Sequence, residues 1–432
     1  MASRRDLRPP AAVVSALRTI VATGPGRLLV GTVALVAVLT VVGLIALWPS
    51  GDRPTTPGAG TPTVGGTVTA VDSASCGGPT DQRCRTATVR VDEGRDEGAS
   101  VQIVLGPEEV SPDLETGQRV RLADQQPAEG TPGADAPGTT GGDAGLGEPG
   151  GDAGAAGADR EPSYAFSGVD RRTPLVALAI LFALLGALVA RGRGLLALVG
   201  TAMSLSLVVL WLVPAILDGR SPLLVATVGA LAVMFVTTGL TYGVTAQSLA
   251  AVTGIGVSLL VAALLGTLWS DLSGLDGKDG DLGSFALQSG GELPLQGILL
   301  AGMVIGALGV LTDTVVSQVS TVAALHRTSP AMKARELYRE AFVVGRDHLA
   351  ATIHTLVLAY AGATLPLLLV ASANGVTFGD AINDARLAEP IVSTLVGSAA
   401  LVLSVPLSTA LAAVLVGRLP PAALAGHDHH HH

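Results

Sequence analysis

Asp313, Asp347 and His354 have the strongest claim to chemistry in this chain of 432 residues, because each stands in or beside a long apolar run. An ionisable group at membrane depth is costly and marks a functional candidate by default. Asp313 follows the apolar stretch that begins at Leu295. Ser317 comes four residues later, on the same helical face, with Gln318 and Ser320 close behind. Asp347 opens a second apolar stretch. His354 lies nearly two helical turns further on, on the same face and about 10 Å deeper. If the first helix runs inward and the second runs back, their inner ends meet. Asp313, Ser317, Gln318, Asp347 and His354 then form one polar site for transport. Two readings stay open. Histidine titrates near neutrality, so the cluster suits a proton or cation relay. Alternatively the two acids lie in interfacial water, Asp347 at a favourable helix N-terminus, and His354 is a satisfied core residue.

The same two stretches carry small residues at helical spacing. Gly302 and Gly306 form a G-x-x-x-G pair with Gly309 behind them, and Ala359 and Ala363 repeat the spacing. Such residues let helix backbones approach closely, so they read as packing faces. Pro366 and Pro406 fall well inside apolar runs, where each removes a helix hydrogen bond and predicts a kink or break. Broken helices often bound transporter sites, and Pro is also common in ordinary spans. The chain has no H-E-x-x-H, no G-x-S-x-G and no Walker A sequence, so no enzyme signature, metal site or cofactor is expected. The tail Gly426-His-Asp-His-His-His-His could capture metal without defining a site.

The elements that must position these residues follow from composition. Charged residues are 14% and hydrophobic ones 49%, where a soluble domain has about 25% charged. Mean hydropathy is +0.54. This excludes an ordinary soluble enzyme, a coiled coil and a collagen-like chain. A net charge of −9 argues against nucleic acid as partner. The expected fold is an all-α polytopic membrane bundle of about eight spanning helices, with a small extracytoplasmic β-barrel-like or β-sandwich domain. The first span is 28–48, long enough for a hydrocarbon core of about 30 Å. Seven more are placed near Leu175–Ala190, Leu195–Leu217, Pro222–Leu240, Leu249–Trp269, Leu295–Leu311, Leu349–Ala371 and Ile391–Val416.

Basic residues orient them. Residues 1–27 carry five arginines and are expected in the cytoplasm. Arg191, Arg193, Arg327, Lys333, Arg335, Arg339, Arg346 and Arg418 fall in the connections assigned inside. Acids such as Asp271, Asp276, Asp380 and Glu389 dominate those assigned outside, and Arg171 and Arg172 run against the pattern. Both termini are thus expected in the cytoplasm of a cell-membrane protein. The polar segment 312–348 reads as an amphipathic helix lying at the inner interface.

Residues 49–125 hold no span. Alternating runs at 67–71, 86–91, 101–105 and 119–122 with Gly-rich turns predict a small β domain. Its core is thin. A Cys76–Cys84 disulfide would help it by roughly 2–3 kcal/mol, in the oxidising compartment that an outward first span implies. Residues 126–163, rich in Gly, Ala, Asp and Pro, read as a disordered acidic linker. The span 164–418 is the seven-helix membrane domain, and 419–432 a cytoplasmic His-rich tail.

Two stretches then resemble a known family: Gly306-Ala-Leu-Gly-Val-Leu-Thr-Asp-Thr-Val-Val-Ser-Gln-Val-Ser and Gly345-Arg-Asp-His-Leu-Ala-Ala-Thr-Ile-His-Thr-Leu-Val-Leu-Ala-Tyr-Ala-Gly-Ala-Thr-Leu-Pro-Leu-Leu-Leu. Both are similar to the YibE/F-like family of bacterial multi-spanning membrane proteins. The resemblance covers roughly Tyr164 to Arg418 and, more weakly, the β domain. It implies a topology and a polar motif set, not a substrate. Thr312 stands where the family often has a second acid, and His354 where it commonly has Asn. These departures weigh against a mechanism that needs paired carboxylates or that amide. The expected function is a secondary transporter or permease-like protein in the lipid bilayer, acting on a small solute or ion. The alternative is a non-transporting scaffold or regulator whose β domain binds an envelope partner. Oligomeric state is left open.

Overall fold

The computed structural model describes residues 21, 24–51, 63–75, 83–124, 164–243, 245–279, 281–289 and 293–416. The expected acidic linker 126–163 and the tail 419–432 lie outside them, as does Cys76. The chain divides into two units, Thr56–Phe182 on one side and the remainder on the other.

The smaller unit is a five-stranded antiparallel sheet. Its strands are β1 Thr63–Ser75, β2 Arg83–Val91, β3 Ser100–Pro107, β4 Arg119–Asp124 and β5 Tyr164–Val169, in the order β3-β2-β1-β4-β5. Four strands match the alternating runs. The fifth is a correction: Tyr164–Val169, expected to open the helical domain, instead pairs with β4, Leu122 opposite Phe166. Bulges at Val68/Ala70, Arg85/Thr86 and Arg121/Leu122 add twist, and the sheet curls until β3 and β5 approach. Val68, Val89, Ile103, Val120 and Leu122 fill the interior. Their period-two spacing puts each on the inner face.

The larger unit is helical. Its elements are α1 Gly24–Ala46, α2 Arg172–Leu207, α3 Val213–Leu217, α4 Pro222–Tyr242, α5 Ala246–Leu272, α6 Asp281–Ser289, α7 Leu295–Thr328, α8 Ala334–Ala373, α9 Phe378–Ala381 and α10 Ala385–Val416. The first turns of α2 fall in the smaller unit. Among the described residues, eight helical stretches are long and apolar enough to cross a membrane, from Gly26–Ala46 to Ala385–Val416.

Three features differ from expectation. The turn expected at Arg191 and Arg193 is not made: α2 is one helix of 36 residues, and the apolar stretches Arg172–Val189 and Gly194–Leu217 lie on one helical path. The local reason is that Arg191-Gly192-Arg193 offers no Pro to stop the helix, and a glycine costs only about 1 kcal/mol. The segment 312–348 is not a separate amphipathic helix either. Thr312–Thr328 prolongs α7, and residues 334–348 open α8. Only Pro330 interrupts them. It bars the preceding residue from helical geometry, and Ser329 sits at φ −138°, ψ 76°. Lastly, α8 and α10 continue across Pro366 and Pro406 without the expected break. Another proline does disturb its helix. Val208–Leu212 winds as a π-turn just before Pro214, the N–H of Val213 reaching back to the Val208 carbonyl.

α5, α7 and α10 form the centre. Ala262, Ala307, Leu311 and Ala400 pack as one small cluster. One layer away, a Cβ on Gly254 of α5 would stand 2.8 Å from Val315 and 3.5 Å from Ser408. Glycine is needed there for the three backbones to converge. α1 joins the bundle through polar contacts at its end. The Trp211 Nε1–H donates to the Leu44 carbonyl at 3.3 Å. The Ser50 backbone N–H and its hydroxyl both donate to the Asp218 carboxylate. These donors hold that carboxyl below the usual carboxylate range, the Ser50 backbone N–H foremost.

Candidate functional site

The candidate site lies where α7, α8 and α10 meet. α7 and α8 run antiparallel, and two contacts set their register: Gly306 opposite Tyr360, and Gln318 opposite Gly345. That register puts Asp313 and His348, both exposed, on facing stretches of the two helices, near enough for their charges to be felt. His354 is six residues further along α8, about 9 Å. It is exposed, and among the described residues its side chain takes part in no hydrogen bond or ion pair. Asp347 is exposed too. Asp347 and His354, seven residues apart, share one side of α8, and the residue opposite Asp313 is His348.

Gln318 has a different role from its neighbours. Five residues from Asp313, it is rotated by about 140° and is wholly buried. The Thr409 hydroxyl on α10 lies 2.9 Å from Gln318 Oε1 and 2.6 Å from the Val405 carbonyl, so one hydrogen serves two acceptors. Among the described residues Gln318 Nε2 has no partner, and Thr314 Oγ1, one turn away, has none either. Buried polar groups without partners cost about 1–3 kcal/mol each. Ser317 is half-buried, and its carbonyl accepts the Thr321 hydroxyl at 2.9 Å. Ser320 is exposed.

The expected packing faces are only partly packed. Gly306 meets the Tyr360 hydroxyl, 3.4 Å from where a Cβ would stand, but a Cβ on Gly302 or Gly309 would meet nothing within 4 Å. Ala359 is exposed. Gly302 and Ala363 line a cavity of about 390 Å³ between α7, α8 and α10, with Tyr360, Thr364, Glu389 and Ser393. α8 explains the opening. Its first turns bury Leu337, Ala341 and Gly345, whereas its most apolar window buries none of its residues.

Sequence reasoning missed His348, Tyr360, Glu389, Thr409 and Gly345. Glu389 was excluded because its span was started at Ile391. The helix in fact begins at Ala385 and continues through Pro390. Thr409 and Gly345 left no local signal, since each matters only through Gln318. Among the described residues no group of three His, Cys, Asp or Glu could hold a metal ion.

No curated protein and no solved structure matches the chain. A family model described as YibE/F-like protein matches residues 178–418. That stretch contains the whole α7–α8–α10 junction and leaves the β-sheet outside. With eight apolar helical stretches among the described residues, compatible with a multi-pass membrane protein, and more than half its length inside that match, the chain belongs to the YibE/F-like family.

Proposed function

We propose that the helical unit is a permease-like secondary transporter of the cytoplasmic membrane, with both termini inside, moving a small solute or ion along the α7–α8 face. One observation carries this reading: Gly302, Gly309 and Asp313 of α7 stand exposed beside α8, and polar groups of both helices flank that face. Tyr360 and Glu389 stand at one end and Asp313 with His348 at the other. Intramembrane ionisable residues that face an opening rather than a sealed core are the usual furniture of an ion or solute path. No enzymatic step is proposed.

The test is untargeted uptake and efflux profiling of a deletion strain, complemented with the wild-type chain or with Asp313→Asn. A solute whose flux is restored by wild type and lost in the variant, at equal folded yield, supports the reading. Unchanged flux of every solute on deletion overturns it. That result would favour the scaffold reading, for which Val104 and Val110 on the β domain, 68% and 81% exposed, are the available contact surface.

A further inference from the structure

The cavity between α7, α8 and α10 holds a carboxylate that no cationic side chain among the described residues answers. Glu389 is partly withdrawn from water, and burial is what acts on it; among the described residues no Arg, Lys or His lies within 4 Å of it. A carboxylate in that position costs free energy unless a counter-charge arrives. We propose that this cavity binds a small organic cation, its ammonium group on Glu389 and its alkyl part on Met303 and Pro390.

Three features select that class. The volume, about 390 Å³, falls in the range of about 300–1,000 Å³ typical of small-molecule sites. A bare metal ion would leave most of it empty. Calcium asks for roughly six to eight oxygen ligands and magnesium for a near-ideal octahedron. The cavity offers one carboxylate and the hydroxyls of Tyr360, Thr364 and Ser393. An ammonium has three N–H donors and needs three acceptors, which one carboxylate and two hydroxyls supply. An anion would meet Glu389 with like charge. The remaining wall, including Met303 and Pro390, is apolar and suits an alkyl chain. Gly302 keeps the volume open, since a Cβ there would meet no atom within 4 Å. A larger side chain would extend into the void rather than into a neighbouring helix.

The inference shares its location with the transport reading but not its test, because binding is measured without flux. The full chain is reconstituted in lipid nanodiscs and titrated calorimetrically with butylammonium, butyrate and butanol as separate probes. Wild type is expected to bind butylammonium saturably and to ignore butyrate and butanol. Glu389→Gln is expected to weaken butylammonium at least tenfold, and Gly302→Leu, which fills the void, to abolish its binding. Equal binding by Glu389→Gln overturns the proposal, as does butanol binding as well as butylammonium. If Glu389→Gln gives no folded protein, Gly302→Leu decides alone, and unchanged affinity there overturns the site. Binding with no flux of any solute would sink the transport reading and leave this one standing.

Discussion

A Cβ on Gly345 of α8 would stand 2.6 Å from the carboxamide of Gln318 on α7. Real Cβ atoms do not approach so near, so the buried carboxamide of Gln318 would have to shift. The pair therefore sets how closely the two helices meet, and with it the placement of Asp313 against His348. Gly345→Ala is expected to destabilise the chain by about 1–3 kcal/mol through overpacking. Gln318→Ala should remove much of that penalty, giving a coupling of about 0.5–3 kcal/mol in a double-mutant cycle on thermal unfolding in detergent. Strict additivity of the two substitutions would refute the contact.

Asp313 and His348 are expected to act together. If they line the path, Asp313→Asn and His348→Gln each abolish flux at unchanged folded yield, and the double variant is no worse than either single one. His354→Asn, exposed and outside that pair, is expected to keep wild-type flux. Loss of flux in His354→Asn with retention in His348→Gln would return the site to the spacing read from sequence.

Tyr164 closes the β-sheet core and donates its hydroxyl to Asp96 at 2.7 Å. Burial first, and then that hydrogen bond, push the phenol up from 10.0 to about 12. A raised folded value means that its stabilising contribution is full below the unfolded value and is lost as pH rises through the folded one. The β-sheet should therefore weaken between about pH 10 and 12. Alkaline titration of tyrosinate absorbance is expected to show a late step that is missing in Tyr164→Phe. A full complement of ordinary phenols in wild type would contradict the arrangement.

The Cys76–Cys84 bond is expected in protein purified without reductant. Cys84 sits on β2 opposite Ala74, two residues before Cys76 in the chain. Peptide mass spectrometry under non-reducing conditions decides the matter, and two free thiols would end the claim.

Membrane topology is tested by labelling single cysteines introduced at Gly192, Ser273 and Ala331 after both native cysteines are replaced by serine. Eight spans require 192 and 331 to label from the inside and 273 from the outside. Position 192 is the sharpest of the three, because α2 is continuous there. Protection of 192 from both sides would mean that the helix does not reverse in the membrane, and the inside–outside assignment of the first spans would change.

Apolar runs and alternating segments were enough to locate the eight membrane stretches and four of the five strands. Both depend on local periodicity and on the length needed to cross a hydrocarbon layer. The family likeness rested on two contiguous motifs and was equally local. The partners across helices were not legible. Asp313 could not be matched to His348 rather than His354, because register between antiparallel helices is set by close approaches such as Gly345 on Gln318 and Gly306 on Tyr360. Glycine carries no sign of which neighbour it admits. β5 escaped because Tyr164–Val169 joins β4 across a long intervening segment. Glu389 became a site residue only when α8 left a cavity beside it. Hydrophobic pattern decides that a segment is buried or spanning. Which side chains then share a space is decided by packing, a property of pairs of helices that no single helix contains.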